Sequence, residues 1–160
     1  MAIPSRILSY LNEADADFEH SNHPMTYTAC ELAHADRIPE RTVAKTVVFL
    51  ADEVFAMAVL PADERVDLAE LQAALGVNRL RLATEEEVAK LFPDCEMGAM
   101  PPLGPLFGLA VYVDNRLAEQ PMIEFNGGTH RDEIRMPYGE FARIVSPLVR
   151  HFGEPAHLKV

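Results

Sequence analysis

Apolar and β-branched residues fill two neighbouring stretches in the first half of the chain. Residues 42–50 read TVAKTVVFL and residues 54–60 read VFAMAVL. The polar pair Asp52-Glu53 between them predicts a turn. We therefore predict two antiparallel strands that form a hairpin with one strongly apolar side.

Lys45 interrupts this apolar pattern. Alternation along a strand places it on the same side as Val43, Val47 and Phe49. A lysine is almost never fully buried without a partner, so this position indicates either a side chain that reaches water at the strand end or a functional site. In a partly dry pocket its ammonium group could hold a phosphate or polarise an ester carbonyl.

The rest of the chain alternates helical patterns with short strand patterns. Apolar spacing and capping signals predict helices at residues 5–15, 28–35, 67–76, 84–92 and 137–145. Further strand patterns occur at 18–20, 79–82, 109–113, 122–125 and 129–136, and the pair Asp114-Asn115 predicts a turn. With six or seven strands and four or five helices, we predict one α+β domain over residues 1–160, with a mixed, largely antiparallel sheet and short helices around it.

Composition narrows the function classes. Of the 160 residues 49% are hydrophobic, and 25 acidic against 14 basic residues give a net charge of -11. This charge opposes broad contact with a nucleic-acid backbone but permits a local pocket for part of one. No run approaches the roughly 20 apolar residues that cross a bilayer, so we expect a cytoplasmic protein without a membrane partner. Cys30 and Cys95 are expected to be free thiols.

A loop rich in proline and glycine occupies residues Gly98–Gly104 (GAMPPLG) and is called the proline loop below. Prolines fix φ and remove backbone donors, while glycines permit close approaches. The result is a rigid, apolar loop that suits the wall of a small pocket.

A second glycine-rich segment, Asn126–His130 (NGGTH), is called the glycine turn below. Its backbone N–H groups could bind an anion, but a simple hairpin turn is the favoured interpretation. His130 could exchange a hydrogen bond with a substrate or could be an ordinary polar strand residue. His20 and His23 lack the further ligands of a metal site, so we expect no metal.

Three segments, in this order, resemble the YbaK-like aminoacyl-tRNA deacylases: residues 42–48 (TVAKTVV), the proline loop, and residues 125–130 (FNGGTH). The resemblance implies a barrel-like β core and hydrolysis of the ester that joins a wrong amino acid to tRNA. It also implies that Lys45 is the residue most tied to activity, that the proline loop lines the site, and that no cofactor is needed. Water or the terminal ribose hydroxyl would attack the ester.

On this basis we expect the proline loop and the glycine turn to face Lys45 across one pocket, with Lys45 and His130 as catalytic residues. The expected substrate-binding residues are Thr46, Gly98, Ala99, Met100, Pro102, Leu103, Gly104, Gly127, Gly128 and Thr129. Relatives often carry small or hydroxylic residues where this chain has Met100-Pro101, so the resemblance does not fix the amino acid.

The expected partner is the acceptor end of an aminoacyl-tRNA. The expected substrate carries a small amino acid such as alanine, on a tRNA such as that for proline. Because the chain is acidic, a synthetase or an elongation factor would deliver the tRNA to a free-standing enzyme. Two alternatives stay open at this point: a non-catalytic module that binds an aminoacyl-adenosine-like ligand, and a hydrolase of other small esters.

Overall fold

The computed structural model describes residues 3–22 and 39–156. Within these residues the chain forms five α-helices, two short 3-10 helices and ten strands in three sheets. The α+β prediction is confirmed, whereas none of the three sheets closes on itself in the described part of the chain, so the expected barrel-like core is an open arrangement. The helix predicted at residues 28–35 lies outside the described residues.

The largest sheet is built on the predicted central hairpin. Its strands, in spatial order, are β5 (Leu80–Leu82), β2 (Ala44–Ala51), β3 (Val54–Pro61), β6 (Ala110–Asp114) and β9 (Leu148–Arg150). β2 and β3 pair antiparallel along their whole length, while β6 runs parallel to both β3 and β9. Asp52 and Glu53 both adopt positive φ, as a two-residue hairpin turn requires.

A second, antiparallel sheet lies beside the first. It has the order β1 (Glu19–Asn22), β8 (Asp132–Pro137) and β7 (Met122–Asn126). An isolated parallel bridge between Val43 and Glu124 joins β7 to the start of β2. The two sheets therefore meet just before Lys45. A separate ribbon pairs β4 (Glu64–Val66) with β10 (Gly153–Pro155).

Three of the five described helices begin after a residue whose side chain caps them, and the other two follow a proline. The five are α1 (Ser5–Glu13), α2 (Leu68–Leu75), α3 (Glu85–Leu91), α4 (Asn115–Ala118) and α5 (Tyr138–Val145). Thr84 and Glu87 form the predicted capping box at the start of α3, and the Asp67 carboxylate accepts a backbone N–H of α2. Asp114, predicted as part of a turn, instead caps α4.

Apolar side chains cover both faces of the five-stranded sheet. One face, called the loop face, packs against α1, α3 and the proline loop and carries Val48, Met57, Val59, Val111 and Val113. The other, called the lysine face, packs against α2 and carries Phe49, Ala58 and Leu60. Successive residues of β2 point to alternate faces, so the two faces receive different parts of its sequence.

The residues after Pro147 form two strands, β9 and β10, where the sequence predicted no element. Both strands are only three residues long and acquire their partners, β6 and β4, through the tertiary fold. No helix among the described residues is long and apolar enough to cross a bilayer.

Candidate active site

Lys45 lies on the lysine face, as alternation predicted. It pairs with Leu60 across the hairpin and shares its side of β2 with Val47 and Phe49. Its half-buried side chain borders a cleft of about 250 Å³. The other residues of this cleft are Val47, Arg65, Val66, Leu68 and Leu82. The ammonium group thus stands beside apolar surface, where electrostatic interactions are stronger than in open water.

Arg65 brings a second cation to this cleft. Its Nε donates to Glu154 Oε1 at 2.6 Å, which uses one of the five donors of the guanidinium group. Leu68 and Leu82 are 39% and 47% exposed and form apolar walls. The cleft therefore suits a ligand that has both a flat apolar part and an anionic part.

Polar residues lie on the other side of Lys45. Lys45 and Asn126 each follow the isolated parallel bridge between Val43 and Glu124 by two residues, so alternation directs both side chains to the same side as the bridged pair. Asn126 stands opposite Glu133 in the ladder of β7 and β8. All three polar residues of this group are buried, with exposures of 5% for Glu124 and 8% for both Asn126 and Glu133.

Sequence reasoning missed Asn126 as a site residue, because it interpreted Asn126 only as the start of a tight turn. A signal was available in the alternation of β7. Ile123 and Phe125 pack into the loop-face core, so Glu124 and Asn126 must point the other way.

Thr46 serves the opposite face from Lys45. It pairs with Val59, a loop-face residue, and its Oγ1 is out of contact with solvent and has no hydrogen-bond partner in the described residues. The N–H of Ala83 donates to the carbonyl of Val48 at 2.9 Å. The backbone N–H and C=O groups of every second residue point to the same edge of a strand. Those of Thr46 therefore point to the same edge of β2 as the carbonyl of Val48, at a position past the end of β5.

The proline loop and the glycine turn contact each other. The N–H of Glu96 donates to the carbonyl of Gly128 at 2.8 Å, and the N–H of Gly128 donates to the carbonyl of Ala99 at 2.9 Å. The N–H of Gly127 donates to the carbonyl of Asp132 at 2.8 Å. Both glycine N–H groups are thus bound within the protein, so the hairpin-turn interpretation is confirmed and the anion-binding one is wrong.

His130 also links the glycine turn to the residues just before the proline loop. Its Nε2 donates to the carbonyl of Met97 at 2.6 Å, and its backbone N–H donates to Glu96 Oε1 at 2.8 Å. A carbonyl can only accept a hydrogen bond, so Nε2 carries a proton. With the residue 7% exposed, these contacts position the loop. A catalytic role for His130 stays a prediction.

Most of the proline loop is part of the loop-face core. Ala99 and Leu103 have no exposed surface, and Pro102 and Gly104 are also buried. A side chain on Gly104 would collide with the backbone oxygen of Leu109. The glycine is therefore needed for packing within the protein.

Two residues in the first half of the proline loop, Gly98 and Met100, are more accessible to solvent. Gly98 is exposed with φ of +85°, and the partly buried Met100 packs against the loop-face core. Leu103 packs on the loop face, whereas Lys45 lies on the lysine face, so the sheet separates these two residues. The expectation that the loop and Lys45 share one pocket stays a prediction.

Thr129 is also committed to the interior. It has no exposed surface, and its hydroxyl donates to Asp132 Oδ2 at 2.6 Å. The Asp132 carboxylate also hydrogen-bonds to Nε2 of His20 at 2.8 Å. Burial raises the pKa of Asp132, but the hydrogen bonds from Thr129 and His20 outweigh this and hold the pKa below its usual value. The Thr129 side chain thus stabilises the glycine turn.

Neither thiol nor metal chemistry has support among the described residues. Burial, with Asp94 nearby, raises the pKa of the Cys95 thiol to about 12, so the thiol is protonated at neutral pH. No group of three or more histidine, cysteine, aspartate or glutamate side chains in residues 3–22 and 39–156 is placed to hold a metal ion. Cys30 lies outside these residues.

The known proteins that this chain resembles in sequence include a proline--tRNA ligase and a tRNA deacylase. The proline--tRNA ligase of Thermosipho africanus is 30% identical over 93 residues, which are 58% of this chain and 16% of the ligase. The multifunctional Ser/Thr-tRNA deacylase ProXp-y of Escherichia coli K12 is 32% identical over 101 residues, which are 62% of this chain and 60% of that protein. The chain thus matches less than two thirds of the length of each of these relatives.

A solved structure and a family model complete the comparison. A protein described as a candidate trans-editing enzyme for prolyl-tRNA synthetase superimposes with a TM-score of 0.83 at 27% identity, over 94% of this chain and 96% of its own. The model of the aminoacyl-tRNA editing domain matches residues 23–144. With most of its length covered by that model, the chain belongs to the aminoacyl-tRNA editing domain family.

Proposed function

We propose that this protein is an aminoacyl-tRNA deacylase that hydrolyses the ester between a wrongly attached amino acid and the terminal adenosine of a tRNA. The observation that carries the proposal is the position of Lys45, half-buried between the cleft that holds Arg65 and the buried polar group of Glu124, Asn126 and Glu133. Family membership and the names of the relatives support the same reaction.

The two sides of Lys45 suit the two parts of the substrate. The terminal nucleoside and its phosphate occupy the cleft, where apolar walls stand beside the Arg65 guanidinium. The aminoacyl group extends toward the polar residues of β7 and β8. The ester bond then lies at the Lys45 ammonium group, between these two subsites.

In the reaction, water attacks the ester carbonyl carbon, the bond to the ribose oxygen breaks, and that oxygen leaves with a proton. A free amino acid and an intact tRNA result. Negative charge develops on the carbonyl oxygen, and the Lys45 ammonium group stabilises it in a partly dry site. Binding on both sides of the ester holds it in place, which supplies a further part of the rate.

The finer assignment is a small amino acid, such as alanine, on a tRNA such as that for proline. The relatives that are proline--tRNA ligases support the tRNA, and the relative named for serine and threonine adds these amino acids to the candidates. A net charge of -11 predicts weak intrinsic affinity for tRNA. We therefore propose delivery by a synthetase or an elongation factor in the cytoplasm, which a pull-down from cytosol tests.

The decisive measurement is deacylation of alanyl-, cysteinyl-, seryl- and threonyl-tRNA by the purified protein and by Lys45→Ala. We expect Lys45→Ala to lower kcat/KM by about 10²–10³-fold, the scale of one lost donor to a developing oxyanion. Its melting temperature should hardly change, because the side chain is half-buried at the edge of a cleft. Lys90→Ala is the matched control, since Lys90 is 77% exposed on α3.

Two outcomes would contradict the proposal in different ways. If Lys45→Ala hydrolyses the best substrate as fast as the parent protein, the role of Lys45 is wrong. If the parent protein binds an aminoacyl-adenosine analogue but hydrolyses none of the four tRNAs, the chain is a binding module rather than an enzyme.

A further inference from the structure

Asn126 carries a buried polar atom that the fold itself does not use. The residue is 8% exposed at the end of β7, and its side-chain Oδ1 is out of contact with solvent and has no hydrogen-bond partner in the described part of the chain. Burying an acceptor without a partner is unfavourable, so such atoms in folded proteins call for an explanation. A ligand that donates a hydrogen bond at this point would supply one.

The surroundings of Asn126 favour a positively charged ligand group. Glu133 stands directly opposite Asn126 in the β7 and β8 ladder, and Glu124 is the next residue of β7 on the same face. Arg135 lies opposite Glu124, with 3.9 Å between Arg135 Nε and Glu124 Oε1. Since Arg135 compensates Glu124, the groups beside Asn126 that bear on a ligand are its own amide oxygen and the Glu133 carboxylate, which both accept hydrogen bonds. A donor with positive charge is therefore the matching group.

There is space at this face for a small group. A cavity of about 100 Å³ is bordered by Glu124 and Arg135, which form the ladder pair two positions before Asn126 and Glu133. The remaining residues around it are Pro39, Thr42, Met122 and Ile123. The cavity is small enough to exclude a large amino-acid side chain.

The relative positions of Lys45 and Asn126 match two neighbouring groups of an aminoacyl ester. Lys45 and Asn126 stand at equal positions, each two residues beyond the Val43–Glu124 bridge that joins the two sheets. In an aminoacyl ester, the α-nitrogen is bonded to the carbon next to the ester carbonyl. A residue that binds the α-ammonium group must therefore lie near the residue that binds the carbonyl oxygen.

We infer that the Asn126 side-chain oxygen, together with the Glu133 carboxylate, binds the α-ammonium group of the amino acid. This inference rests on the proposed function, because it places the ester carbonyl at Lys45. The consequence is selectivity for amino acids with a free α-amino group. N-acylated or peptidyl esters would lack the charge that the site recognises.

The test measures binding rather than turnover, so that it does not depend on hydrolysis. The probes are a stable amide analogue, alanyl-3′-amino-3′-deoxyadenosine, and its N-acetyl derivative. The parent protein is expected to bind the free-amine analogue at least about tenfold more tightly. Asn126→Leu should weaken binding of the free-amine analogue by about 10- to 100-fold, the scale of a hydrogen bond to a charged group, and leave the N-acetyl derivative within about threefold.

Further variants make the test independent of folding defects. Asn126→Asp keeps an acceptor oxygen of the same shape and should retain the preference for the free amine. Glu133→Gln should reduce it, and Asn115→Ala, at the exposed start of α4, should leave it unchanged. Melting temperatures identify any variant that does not fold.

The inference is overturned if the parent protein binds both analogues equally or binds neither. It is also overturned if Asn126→Leu weakens both analogues by the same factor, or if Asn126→Asp loses the preference as fully as Asn126→Leu. A parent protein that prefers the free amine but does not hydrolyse alanyl-tRNA would support the ammonium site and contradict the deacylase proposal.

Discussion

The two faces of the five-stranded sheet use polar groups in different ways. On the loop face, the glycine turn and the proline loop satisfy one another through hydrogen bonds such as those of Gly128 and His130. On the lysine face, Lys45 borders an open cleft and Asn126 keeps a buried oxygen without a partner in the described residues. Residue types that often occur in active sites therefore mark structure on one face and a candidate site on the other.

A single segment shows how sharply the two faces divide. Phe125 packs into the loop-face core, while its neighbour Asn126 points to the lysine side of the β7 and β8 sheet. Gly127, Gly128 and Thr129 then return to the interior. The segment is one motif in sequence but serves two physical tasks. Loop-face variants should accordingly change stability, and lysine-face variants should change substrate binding or turnover.

The largest effect on the loop face is expected from Gly128→Ala. A side-chain carbon there would lie 2.7 Å from Pro4 Cδ, at a φ of +94° that residues with side chains rarely adopt. We expect the free energy of unfolding to fall by about 2–4 kcal/mol in chemical denaturation, from overpacking and backbone strain together.

Gly139→Ala is the control for this variant. Gly139 lies in α5 with no atom within 4 Å of the added carbon, so this change should stabilise the protein by about 0.5–1 kcal/mol. Gly128→Ala should also keep its deacylation rate per folded molecule. A well-folded Gly128→Ala protein that has lost activity would show that the glycine turn takes part in the chemistry.

A smaller effect, with a pH dependence, is expected from Thr129→Val. Losing the hydroxyl removes a buried hydrogen bond to Asp132, which costs about 1–3 kcal/mol of unfolding free energy at pH 7. The folded pKa of Asp132 is lowered, so its ionised form contributes stability above the ordinary aspartate pKa of about 3.9 and loses this contribution as pH falls through the folded pKa.

The difference in stability between the parent protein and Thr129→Val should therefore shrink as the pH is lowered from 7 to 3, measured by denaturation at each pH. Thr42→Val serves as the control, because the Thr42 hydroxyl bond to the Pro39 carbonyl is exposed. A difference that stays constant across this range would contradict the role given to the Asp132 carboxylate.

The smallest effect is expected from Gly98→Ala. The added carbon would meet Cε1 of His130 at 3.4 Å, an ordinary contact, so the cost is mainly the φ of +85° and amounts to about 1 kcal/mol of unfolding free energy. Deacylation should change by less than about threefold, equivalent to under 1 kcal/mol in the barrier. A loss of more than a hundredfold in a folded variant would place the proline loop in the active site after all.

Much of the fold followed from local patterns. The hairpin of β2 and β3, its Asp52-Glu53 turn and the Thr84 capping box are confirmed because each depends on residues close in sequence. β9 and β10 were missed, since three residues carry no clear period and these strands exist only through distant partners. Asp114 was interpreted as a turn because its capped helix, α4, is only four residues long.

The candidate site divides in the same way. Alternation along β2 was enough to predict the side on which Lys45 lies. It could not show that Leu103 of the proline loop would pack on the other face. It also could not relate Asn126 to Lys45, because that relation depends on the bridge between Val43 and Glu124, which are far apart in the chain.

Periodicity, capping and motif order are properties of neighbouring residues, so they were enough to predict the α+β class, the central hairpin, the unusual lysine and the family resemblance. Only the contacts of the folded chain show which polar groups are satisfied within the protein and that Asn126 Oδ1 has no partner in the described residues. That distinction depends on burial and on contacts between distant strands. For this reason we propose a site at Lys45 and Asn126, while Ala99 and Leu103 of the proline loop pack in the loop-face core.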